Sequence, residues 1–416
     1  MDRAQADVLD NTLVVLLAGG QGERLYPLTR DRAKPAVPFA GSYRIIDFTL
    51  SNAANSGLRK INVLTQYKSY SLQRHLQLGW NIFNYELGEY LNVIPPQQRM
   101  ATMWYRGTAD ALFQNIYILE RLRPTYVLIL SGDHLYKMDY ARLLHYHVQN
   151  AAHLTVACIE VNREEASRFG IMQVDDENRI VDFDEKPAQP KPIPGRPGAF
   201  LGSMGVYVFN TEELVRQVIA DAKRDTAHDF GENILPGMIR DRDVFVYNFT
   251  DGAVGRPYWR DIGTLDAYWQ ASMDLLGPGP SFELADTQWP LRTYQEQHPP
   301  ARIISTQGTG DGVAANSLVS AGAVINNARV TDSVISPGVT IEPGASVEGS
   351  VIMKDTVIGA RAKVRNTIID KNVHIPAGAE IGFDPDTDRR RFTVTDSGLV
   401  VIPKELPFEQ PTEAVV

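Results

Sequence analysis

The stretch Thr12-Leu-Val-Val-Leu-Leu-Ala-Gly-Gly-Gln-Gly-Glu-Arg-Leu25 begins with aliphatic residues and then has three glycines within four positions. Its residues 13–17 form a β-branched and aliphatic run, which predicts a buried strand. Glycines that follow such a strand leave backbone N–H groups open to phosphate oxygens. The stretch therefore predicts an α/β sheet whose first strand leads into an anion-binding loop.

The glycine motif has more than one interpretation. Leu25 stands where a dinucleotide-binding fingerprint has its third glycine, and the motif lacks the Gly-Lys-Ser/Thr of a P-loop. A tight strand-to-helix turn would need the same glycines. Arg24 and Lys34 add the positive charge that a polyphosphate requires, which favours a phosphate-binding loop. The nucleotide-binding candidates of this loop are Gly19, Gly20 and Gly22.

Beyond this stretch, short apolar runs alternate with helical patterns as far as about residue 276. Further buried strands are predicted at residues 61–64, 126–130, 154–159 and 206–209. Thr108 is expected to cap a helix whose apolar residues share one face: Leu112, Phe113, Ile116 and Leu119. This alternation predicts a mixed, mostly parallel Rossmann-like sheet covered by helices on both sides. Its ligands would bind in the loops after residues 17 and 130.

A different pattern begins near residue 306, where an aliphatic residue recurs about every six positions. The series is Ile335, Ile341, Val347, Ile358, Val364, Ile369, Ile375 and Ile381, interrupted by spacings of five. Period six is typical of a left-handed parallel β-helix of hexapeptide repeats, although short strands of a sandwich are an alternative. We predict a β-helix domain over residues 306–416.

Two irregular stretches divide the rest of the chain. Residues 186–197 contain five prolines, which exclude a helix and a central strand and predict a surface loop. Residues 277–300 are long for a loop within one domain, and we predict a linker over residues 277–305. The α/β domain is therefore expected to cover residues 1–276.

The composition suits a soluble globular chain, with 44% hydrophobic and 22% charged residues among 416. The 41 basic and 50 acidic residues give a net charge of -9, which argues against binding nucleic acid through bulk electrostatics. Cys158 is the only cysteine, so neither an intrachain disulfide nor a cysteine metal site can form within one chain. The apolar run at residues 13–18 is too short for a signal peptide or a membrane span, and we expect a cytoplasmic protein.

Two aspartates are candidate metal ligands. Asp133, in Ser131-Gly-Asp-His134, follows the strand predicted at residues 126–130, and Asp261 lies 128 positions further on in Tyr258-Trp-Arg-Asp-Ile-Gly-Thr264. A carboxylate beside a glycine at the end of a central strand is well placed to hold Mg²⁺ on phosphates. Asp133 could instead cap a helix, and the sequence does not show that the two residues are adjacent. Their combination with a phosphate loop favours shared binding of Mg²⁺.

Phe183-Asp-Glu-Lys-Pro187 places an acid beside a base just before the proline-rich loop. Lys186 is suited to pairing with a monophosphate and Glu185 to accepting hydrogen bonds from sugar hydroxyls, while a solvated ion pair is the alternative. His145 and His147 are two positions apart on a predicted helix and share no face, so they make a poor metal pair. The sequence Arg389-Arg-Arg391 is more typical of an exposed charged segment than of a ligand site, although an anionic effector could bind it.

Taken together, these motifs resemble those of the sugar-1-phosphate nucleotidylyltransferases, and specifically those of the bacterial glucose-1-phosphate adenylyltransferases. The resemblance covers nearly the whole chain. It is carried by the glycine loop and by Arg32-Ala-Lys-Pro-Ala-Val37, Arg44-Ile-Ile-Asp-Phe48, Trp104-Tyr-Arg-Gly-Thr-Ala-Asp110, Gly132-Asp-His-Leu-Tyr-Lys137, Glu185-Lys-Pro187, Ser203-Met-Gly205 and Tyr258-Trp-Arg-Asp261. The strings that begin at Trp104 and Tyr258 look like the ADP-glucose branch rather than its uridylyl or thymidylyl relatives.

The resemblance implies a nucleotidyltransferase that converts ATP and glucose 1-phosphate to ADP-glucose and pyrophosphate, with Mg²⁺ as cofactor, in the committed step of bacterial glycogen synthesis. It implies catalytic roles for Asp133, Arg24 and Lys34, and Mg²⁺ binding by Asp133 and Asp261. The positions that match the glucose 1-phosphate site are Tyr105, Gly170, Glu185, Lys186 and Ser203. Gly107 and Thr108 would lie near adenine, and Gln66 and Trp104 match positions that relay regulatory signals.

The resemblance also implies partners and regulation. Members of the family are typically homotetramers controlled by sugar-phosphate and nucleotide effectors, without nucleic acid or membrane partners. This chain departs from the pattern of the enteric bacterial family members at two places. Asp31 stands where they commonly have a basic residue, and Ser336-Pro-Gly338 stands where they have an arginine pair. Recognition of an anionic effector would then depend on Arg30, Arg32, Arg44 and the arginines at 389–391. We expect weak or absent activation by fructose 1,6-bisphosphate, and we favour a monophosphate such as fructose 6-phosphate as the activator.

Two alternatives stay open. UTP or dTTP could replace ATP as the nucleotide. Related domains with degenerate sites also serve as structural subunits of translation factors or as non-catalytic regulatory subunits. The residues that argue against such degeneracy here are Arg24, Lys34, Asp133, Lys186 and Asp261.

Overall fold

The computed structural model describes residues 3–20, 22–96, 104–250, 257–306 and 312–404, and they form two compact units. The sheet unit consists of Met1–Gly20, Ile46–Trp259 and Thr287–Arg292. The β-helix unit consists of Gln21–Ile45, Arg260–Asp286 and Thr293–Val416. The domain boundaries predicted at residues 276 and 306 stay a prediction, and residues 405–416 lie outside the described part of the chain.

Nine of the described strands form the main sheet of the sheet unit. Seven of them lie in the order β10 (Ile180–Glu185), β9 (Gly170–Val174), β11 (Phe200–Asn210), β6 (Tyr126–Ser131), β1 (Thr12–Ala18), β4 (Lys60–Thr65) and β5 (Tyr90–Ile94). β8 (Leu154–Val161) pairs with β11, and β12 (Val244–Asn248) pairs with β8. β7 (His134–Tyr136) and β13 (Trp259–Asp261) are two of the described short strands that lie outside this sheet.

The main sheet is mixed, as predicted. β1 runs parallel to β4 and β6, β4 runs parallel to β5, and β8 runs parallel to β12. β11 is antiparallel to β6, β8 and β9, and β10 is antiparallel to β9. All five predicted strands are confirmed, and Val14 and Leu16 of the central β1 are fully buried. Since β1, β4 and β6 are parallel, their carboxyl ends form one edge, where polar loops can meet.

The helices are α1 (Arg3–Asp10), α2 (Ile45–Asn55), α3 (Tyr70–Gly79), α4 (Thr108–Gln114), α5 (Ile116–Leu122), α6 (Tyr140–Gln149), α7 (Arg163–Ala166), α8 (Thr211–Asp221), α9 (Leu235–Met238), α10 (Leu265–Met273) and α11 (Pro385–Arg391). A π-helix spans Phe230–Ile234, and 3₁₀ turns span Glu23–Leu25, Lys34–Ala36 and Tyr85–Leu87. Within the described ranges, none of the helices is both long enough and apolar enough to cross a membrane.

The single helix predicted after Thr108 is wrong, because α4 and α5 are separate. Asn115 interrupts them with φ -110° and ψ 15°, and its side-chain amide donates to the carbonyl of Ala111 at 2.8 Å. Such a local side-chain bond competes with continuation of the helix. Thr108 is also not the cap, since Gly107 holds that position and the Thr108 hydroxyl bonds elsewhere.

The β-helix unit consists mainly of three parallel ladders. The first contains β14 (Arg302–Ile304), β17 (Val324–Asn326), β20 (Thr340–Ile341), β23 (Val357–Ile358) and β26 (His374–Ile375). The second contains β15 (Val313–Ala315), β18 (Arg329–Thr331), β21 (Ser346–Glu348), β24 (Lys363–Arg365) and β27 (Glu380–Ile381). The third contains β16 (Leu318–Val319), β19 (Val334–Ile335), β22 (Val351–Ile352), β25 (Thr367–Ile369) and β29 (Val400–Ile402), with β28 (Thr393–Val394) antiparallel to β29. A separate hairpin pairs β2 (Pro38–Phe39) with β3 (Tyr43–Arg44).

The six-residue period in the sequence arises because each turn of this left-handed parallel β-helix has three sides, and each side takes about six residues. Ile341, Ile358 and Ile375 pair in one ladder, are each 17 residues apart and are fully buried. A turn of 17 residues is one short of three hexapeptides, which explains the spacings of five. Stacking identical aliphatic side chains inside the coil gives this unit a continuous apolar core.

A buried ion pair joins the N-terminal segment of the β-helix unit to the third ladder. Nη1 and Nη2 of Arg32 donate to Asp370, with contacts of 2.7 to 3.0 Å, and the two side chains are only 7% and 2% exposed. Such pairs are costly to desolvate, and removing one partner leaves the other charge buried without compensation. This pair therefore fixes the position of the string that carries Lys34.

We expect Asp370→Ala to lower the free energy of unfolding by about 3 kcal/mol, because it leaves the Arg32 guanidinium buried and unpaired. Urea unfolding followed by circular dichroism measures the effect. Asp386→Ala is the control, since its carboxylate is 84% exposed and lies 3.7 Å from Arg389, and such pairs contribute at most about 1 kcal/mol. Equal unfolding midpoints for the two variants would show that the Arg32–Asp370 pair is not stabilising.

Candidate active site

The first part of the glycine loop lies at the carboxyl end of β1. A Cβ atom on Gly19 would lie 3.0 Å from Cβ and 3.1 Å from Oε1 of Gln66, which follows β4. The amide of Gln66 donates to the carbonyl of Tyr105 at 3.2 Å. Gln66 therefore contacts both the glycine loop and the Tyr105 backbone, and Gln21 of the loop lies outside the described residues.

The second part of the loop and the basic candidates belong to the β-helix unit. Gly22 has φ +66°, and a Cβ there would lie 3.0 Å from Cβ of Lys34. Lys34 Nζ lies 3.3 Å from Oδ1 of Asp261. A Cβ on Gly263 would lie 3.3 Å from Nη2 of Arg24 and 2.9 Å from Oδ2 of Asp261. Two cations and one carboxylate are therefore gathered beside two glycines.

Asp133 lies in the sheet unit, two positions after the central strand β6. Gly132 before it is required by close packing, because a Cβ there would lie 2.8 Å from a methyl carbon of Leu16. The hydroxyl of Ser131 donates to Asp133, and His134 Nε2 lies 3.5 Å from the same carboxylate oxygen. The alternative role as a helix N-cap is wrong, since strand β7 follows. The carboxylate is 27% exposed and offers the hard oxygen donors that divalent cations prefer.

Glu185 and Lys186 form an ion pair at the end of β10, with Lys186 Nζ 2.6 Å from Glu185 Oε1. A Cβ on Gly170 would lie 2.9 Å from Glu185 Oε2, so the glycine lets the carboxylate lie against β9. The hydrogen bond to Glu185 raises the pKa of Lys186, and the charges of Glu232 and Asp229 add to this effect. The Lys186 side chain is 60% exposed, and two further acids, Glu232 and Asp229, lie close enough for their charges to act on it.

Two residues that the sequence did not single out join this group. Desolvation raises the pKa of Tyr207, as does the charge of Asp229, while a hydrogen bond with Ser203 lowers it. The hydroxyl of Ser203 also accepts from the amide of Gly205 at 3.3 Å. Tyr207 and Asp229 therefore lie near three predicted glucose 1-phosphate residues: Glu185, Lys186 and Ser203. Neither Tyr207 nor Asp229 belongs to a glycine-rich or charged motif that could have indicated it.

The segment at residues 104–108 is held by hydrogen bonds. The Tyr105 hydroxyl accepts from Asn115 at 3.0 Å, and burial raises the Tyr105 pKa. The Arg106 amide donates to Asp110 at 2.9 Å, and the Thr108 hydroxyl donates to Asp229 at 3.0 Å. Trp104 at the start of the segment is 53% exposed.

Several weaker candidates stay outside this group. His145 is exposed, while His147 is buried and bonded to Thr155 at 2.8 Å and Asn210 at 3.2 Å, so the two side chains lie on different faces of α6, as predicted. The arginines at 389–391 form the last turn of α11. Residues 186–197 form the predicted loop, with one isolated bridge between Ile193 and Arg196.

Comparison with known proteins gives matches over both units. Residues 13–277 match the nucleotidyl transferase family model, and residues 299–402 match the GlmU-like C-terminal hexapeptide model. The chain is 49% identical to glucose-1-phosphate adenylyltransferase 2 of Vibrio cholerae, over 96% of this chain and 99% of that protein. It is 51% identical to the glucose-1-phosphate adenylyltransferase of Rhodopirellula baltica, over 95% of this chain and 90% of that protein. It is 46% identical to the glucose-1-phosphate adenylyltransferase of Koribacter versatilis, over 97% of this chain and 98% of that protein.

Proposed function

The chain belongs to the glucose-1-phosphate adenylyltransferases, and from this membership we propose a role for each residue of the candidate active site. The reaction is ATP plus glucose 1-phosphate giving ADP-glucose and pyrophosphate, a step of glycogen biosynthesis. The observation that best supports the residue roles is the grouping of Gly170, Glu185, Lys186 and Ser203 around Tyr207 and Asp229.

The chemistry is a single in-line displacement at the α-phosphorus of ATP. A phosphate oxygen of glucose 1-phosphate forms the new P–O bond, and the bond from the α-phosphorus to the bridging oxygen of pyrophosphate breaks. Such transfer depends on positioning and charge neutralisation and needs no protein nucleophile. The one cysteine, Cys158, is fully buried, and burial raises its thiol pKa, so it is unsuited to attack.

The stereochemistry at phosphorus tests this mechanism. We expect a chiral α-thiophosphate analogue of ATP to yield the α-thiophosphate analogue of ADP-glucose with inverted configuration at the α-phosphorus. One in-line displacement inverts that configuration. Phosphorus NMR of the product gives the configuration. Retention would require two displacements and hence an adenylylated protein side chain, which would contradict the mechanism.

Arg24 and Lys34 neutralise the departing pyrophosphate in this proposal. Their gathering beside Asp261 and two glycines supports the assignment, because guanidinium and ammonium groups pair strongly with phosphate oxygens. Nucleotidyltransferases of this family generally use a divalent metal, and we assign it as Mg²⁺. Asp133 and Asp261 would hold this ion, and it would neutralise charge on the phosphates. Both carboxylates are partly exposed, at 27% and 30%.

Glucose 1-phosphate binds through Lys186, which pairs with its phosphate, and Glu185, which accepts hydrogen bonds from sugar hydroxyls. Gly170 and Ser203 shape this pocket together with Tyr105. The charge of Asp229 acts on Lys186, and we add Asp229 and Tyr207 to the sugar-phosphate site. The hydrogen bond to Glu185 and the charges of Glu232 and Asp229 raise the pKa of Lys186, which favours the charged form that pairs with a phosphate.

ATP phosphates bind at the glycine loop, and adenine lies near Gly107 and Thr108. The phosphate-binding glycines are Gly19, Gly20 and Gly22. Gln66 and Trp104 relay regulatory signals, which is supported by the contacts of Gln66 with Gly19 and with the Tyr105 carbonyl. We further propose a cytoplasmic homotetramer that responds to sugar-phosphate and nucleotide effectors and binds no nucleic acid.

An anionic effector site is supported in the β-helix unit. Burial lowers the pKa of Lys371 to about 7, and the positive charges of Arg44 and Arg32 add to this effect. The prediction that Arg32 itself recognises the effector is not supported, because its guanidinium is bonded to Asp370. We therefore propose Arg44 and Lys371 instead, because the positive charge of Arg44 acts on Lys371 and an anion bound near both would be attracted by each of them.

The pH dependence of effector binding tests this site. Lys371 loses its charge as pH rises through about 7, so we expect affinity for sulfate, whose charge is constant here, to fall from pH 6 to pH 8. Lys371→Arg should abolish this decline, because a guanidinium stays charged. Calorimetric titration gives the affinity. An unchanged pH profile in the arginine variant would exclude Lys371 from the site.

Asp31 opposes bisphosphate binding. It lies 3.0 Å from Arg30 and 3.4 Å from Lys404, and although burial alone would raise its pKa, these cations lower it. The ionised carboxylate therefore neutralises cations that a bisphosphate would need. We expect weak or absent activation by fructose 1,6-bisphosphate and partial recovery in Asp31→Lys.

Initial rates against fructose 6-phosphate and fructose 1,6-bisphosphate measure the effect, with Asp386→Lys as a control for added surface charge. Strong stimulation of the unmodified enzyme by micromolar bisphosphate would contradict the role given to Asp31.

A further inference from the structure

A buried acid–histidine pair lies outside the residues assigned so far. Asp221 ends α8, and its Oδ2 lies 2.6 Å from Nδ1 of His228, with the side chains 5% and 1% exposed. Its Oδ1 accepts from the Thr226 hydroxyl at 2.8 Å. Both carboxylate oxygens are therefore satisfied by the loop at residues 226–229, as a buried carboxylate requires.

The backbone of His228 presses against the proposed adenine-binding segment. His228 has φ +53°, a left-handed conformation that non-glycine residues rarely adopt. Its carbonyl accepts from the amide of Ala109 at 2.7 Å. A Cβ on Gly107 would lie 2.2 Å from the carbonyl oxygen of Ala227 and 2.4 Å from that of His228. The glycine at 107 is thus required because this loop lies directly behind it.

The same loop continues into the sugar-phosphate site. Asp229 follows His228 and accepts from the Thr108 hydroxyl at 3.0 Å, while that hydroxyl accepts from the amide of Phe230 at 3.0 Å. The charge of Asp229 also acts on Lys186. The loop at residues 226–229 therefore contacts the nucleotide segment and supplies an acid beside the sugar-phosphate lysine.

We propose that His228 is a positioning residue for adenylyl transfer. Held by Asp221, it fixes the loop at residues 226–229 so that Gly107, Thr108 and Asp229 keep one relative arrangement. Displacements of about 1 Å in such a site lower rates by roughly a hundredfold. This inference rests on the proposed binding of adenine at Gly107 and Thr108.

Only one ring nitrogen of His228 takes part. Nδ1 bonds to Asp221, whereas Nε2 is buried and has no hydrogen-bond partner among the described residues. An asparagine amide nitrogen can occupy the position of Nδ1, while a glutamine amide reaches that of Nε2. Asparagine also tolerates left-handed backbone better than other non-glycine residues. Asparagine is therefore the substitution that should preserve the function of His228.

The test compares His228→Asn, His228→Gln and His228→Ala in the full-length enzyme, with kcat and both KM values measured by pyrophosphate release. We expect kcat/KM for ATP to fall roughly thirtyfold or more in the glutamine and alanine variants. The asparagine variant should stay within about threefold of the unmodified enzyme. Equal losses for asparagine and glutamine would overturn the assignment to Nδ1.

His147→Ala separates positioning from general destabilisation. His147 is also buried in the sheet unit, where its two ring nitrogens bond to Thr155 and Asn210. We expect this variant to lower the melting temperature while both KM values stay unchanged. If His147→Ala raises the KM for ATP as much as His228→Ala, the effect is structural and the proposal fails.

Gly107→Ala distinguishes this inference from the proposed function on which it rests. Its methyl group must displace the Ala227–His228 peptide, so we expect it to raise the KM for ATP, with no further increase in the double variant with His228→Ala. If Gly107→Ala impairs ATP use while every His228 variant is normal, the inference is wrong and the proposed adenine site stands. If Gly107→Ala and His228→Ala both use ATP normally, the adenine site itself is misplaced and the inference fails with it.

Discussion

Asp133→Asn is expected to lower kcat by at least about a thousandfold, while the fold and the KM values change little. The substitution removes a negative charge from the proposed metal ligand without changing its volume, and a metal held there would stabilise charge on the phosphates in the transition state. Initial rates of pyrophosphate release at saturating ATP, glucose 1-phosphate and Mg²⁺ measure the effect.

Asp139→Asn is the matched control for this variant. Asp139 is 24% exposed, close to the 27% of Asp133, and caps α6 by accepting from the amide of Ala141 at 2.9 Å. Asparagine is an equally good helix cap, so activity should be normal. A loss of less than about tenfold in Asp133→Asn would show that Asp133 is not a metal ligand of the reaction.

Lys186→Ala is expected to raise the KM for glucose 1-phosphate roughly a hundredfold, with the KM for ATP within about threefold of normal. Loss of a phosphate-pairing ammonium removes ground-state binding of one substrate. The variant also leaves Glu185 without the cation that lies 2.6 Å away, which adds repulsion toward the sugar phosphate. Substrate titrations at saturating concentrations of the other substrate separate the two constants.

Lys191→Ala controls for the loss of a lysine from the same loop. Lys191 is as exposed as Lys186, at 60%, and pairs with Asp182 at 3.3 Å instead of Glu185. Such an exposed pair contributes little, and the kinetic constants should be unchanged. Equal increases in both KM values of Lys186→Ala would place Lys186 away from the sugar phosphate.

The elements that depend on local pattern were predictable from the sequence. β1 and β6 are buried aliphatic runs, and the fully buried Ile341, Ile358 and Ile375 recur with the period of the β-helix. A short aliphatic run bounded by turn residues predicts a buried strand, and an aliphatic residue at every sixth position predicts a β-helix. The strands and the β-helix could therefore be predicted without knowledge of their neighbours.

The break between α4 and α5 was not predictable from periodicity, because Leu112 and Leu119 are buried whether or not the helix is continuous. The break depends on Asn115, whose side chain bonds to the Ala111 carbonyl and the Tyr105 hydroxyl. One polar residue thus overrides a correct apolar pattern, because its side chain bonds to the Ala111 carbonyl within α4 and so competes with continuation of the helix.

The remaining features that the sequence did not predict depend on contacts between residues that are far apart in the chain. Arg32 and Asp370 are 338 positions apart, and Thr108 and Asp229 are 121 apart. Nothing in the residues around Asp370 or Asp229 distinguishes them from exposed acids. Lys186 was predicted because it adjoins Glu185 in sequence, whereas Asp229 became a candidate only when folding brought it near Lys186.

Pyrophosphate release by the purified protein, measured with glucose 1-phosphate, Mg²⁺ and each of ATP, UTP and dTTP in turn, tests the central claim most directly. We expect rapid release with ATP that requires both glucose 1-phosphate and Mg²⁺, with stoichiometric ADP-glucose, and rates at least about a hundredfold lower with UTP or dTTP. Faster turnover with UTP or dTTP, or no release from folded protein with any of the three, would contradict the assignment as an adenylyltransferase.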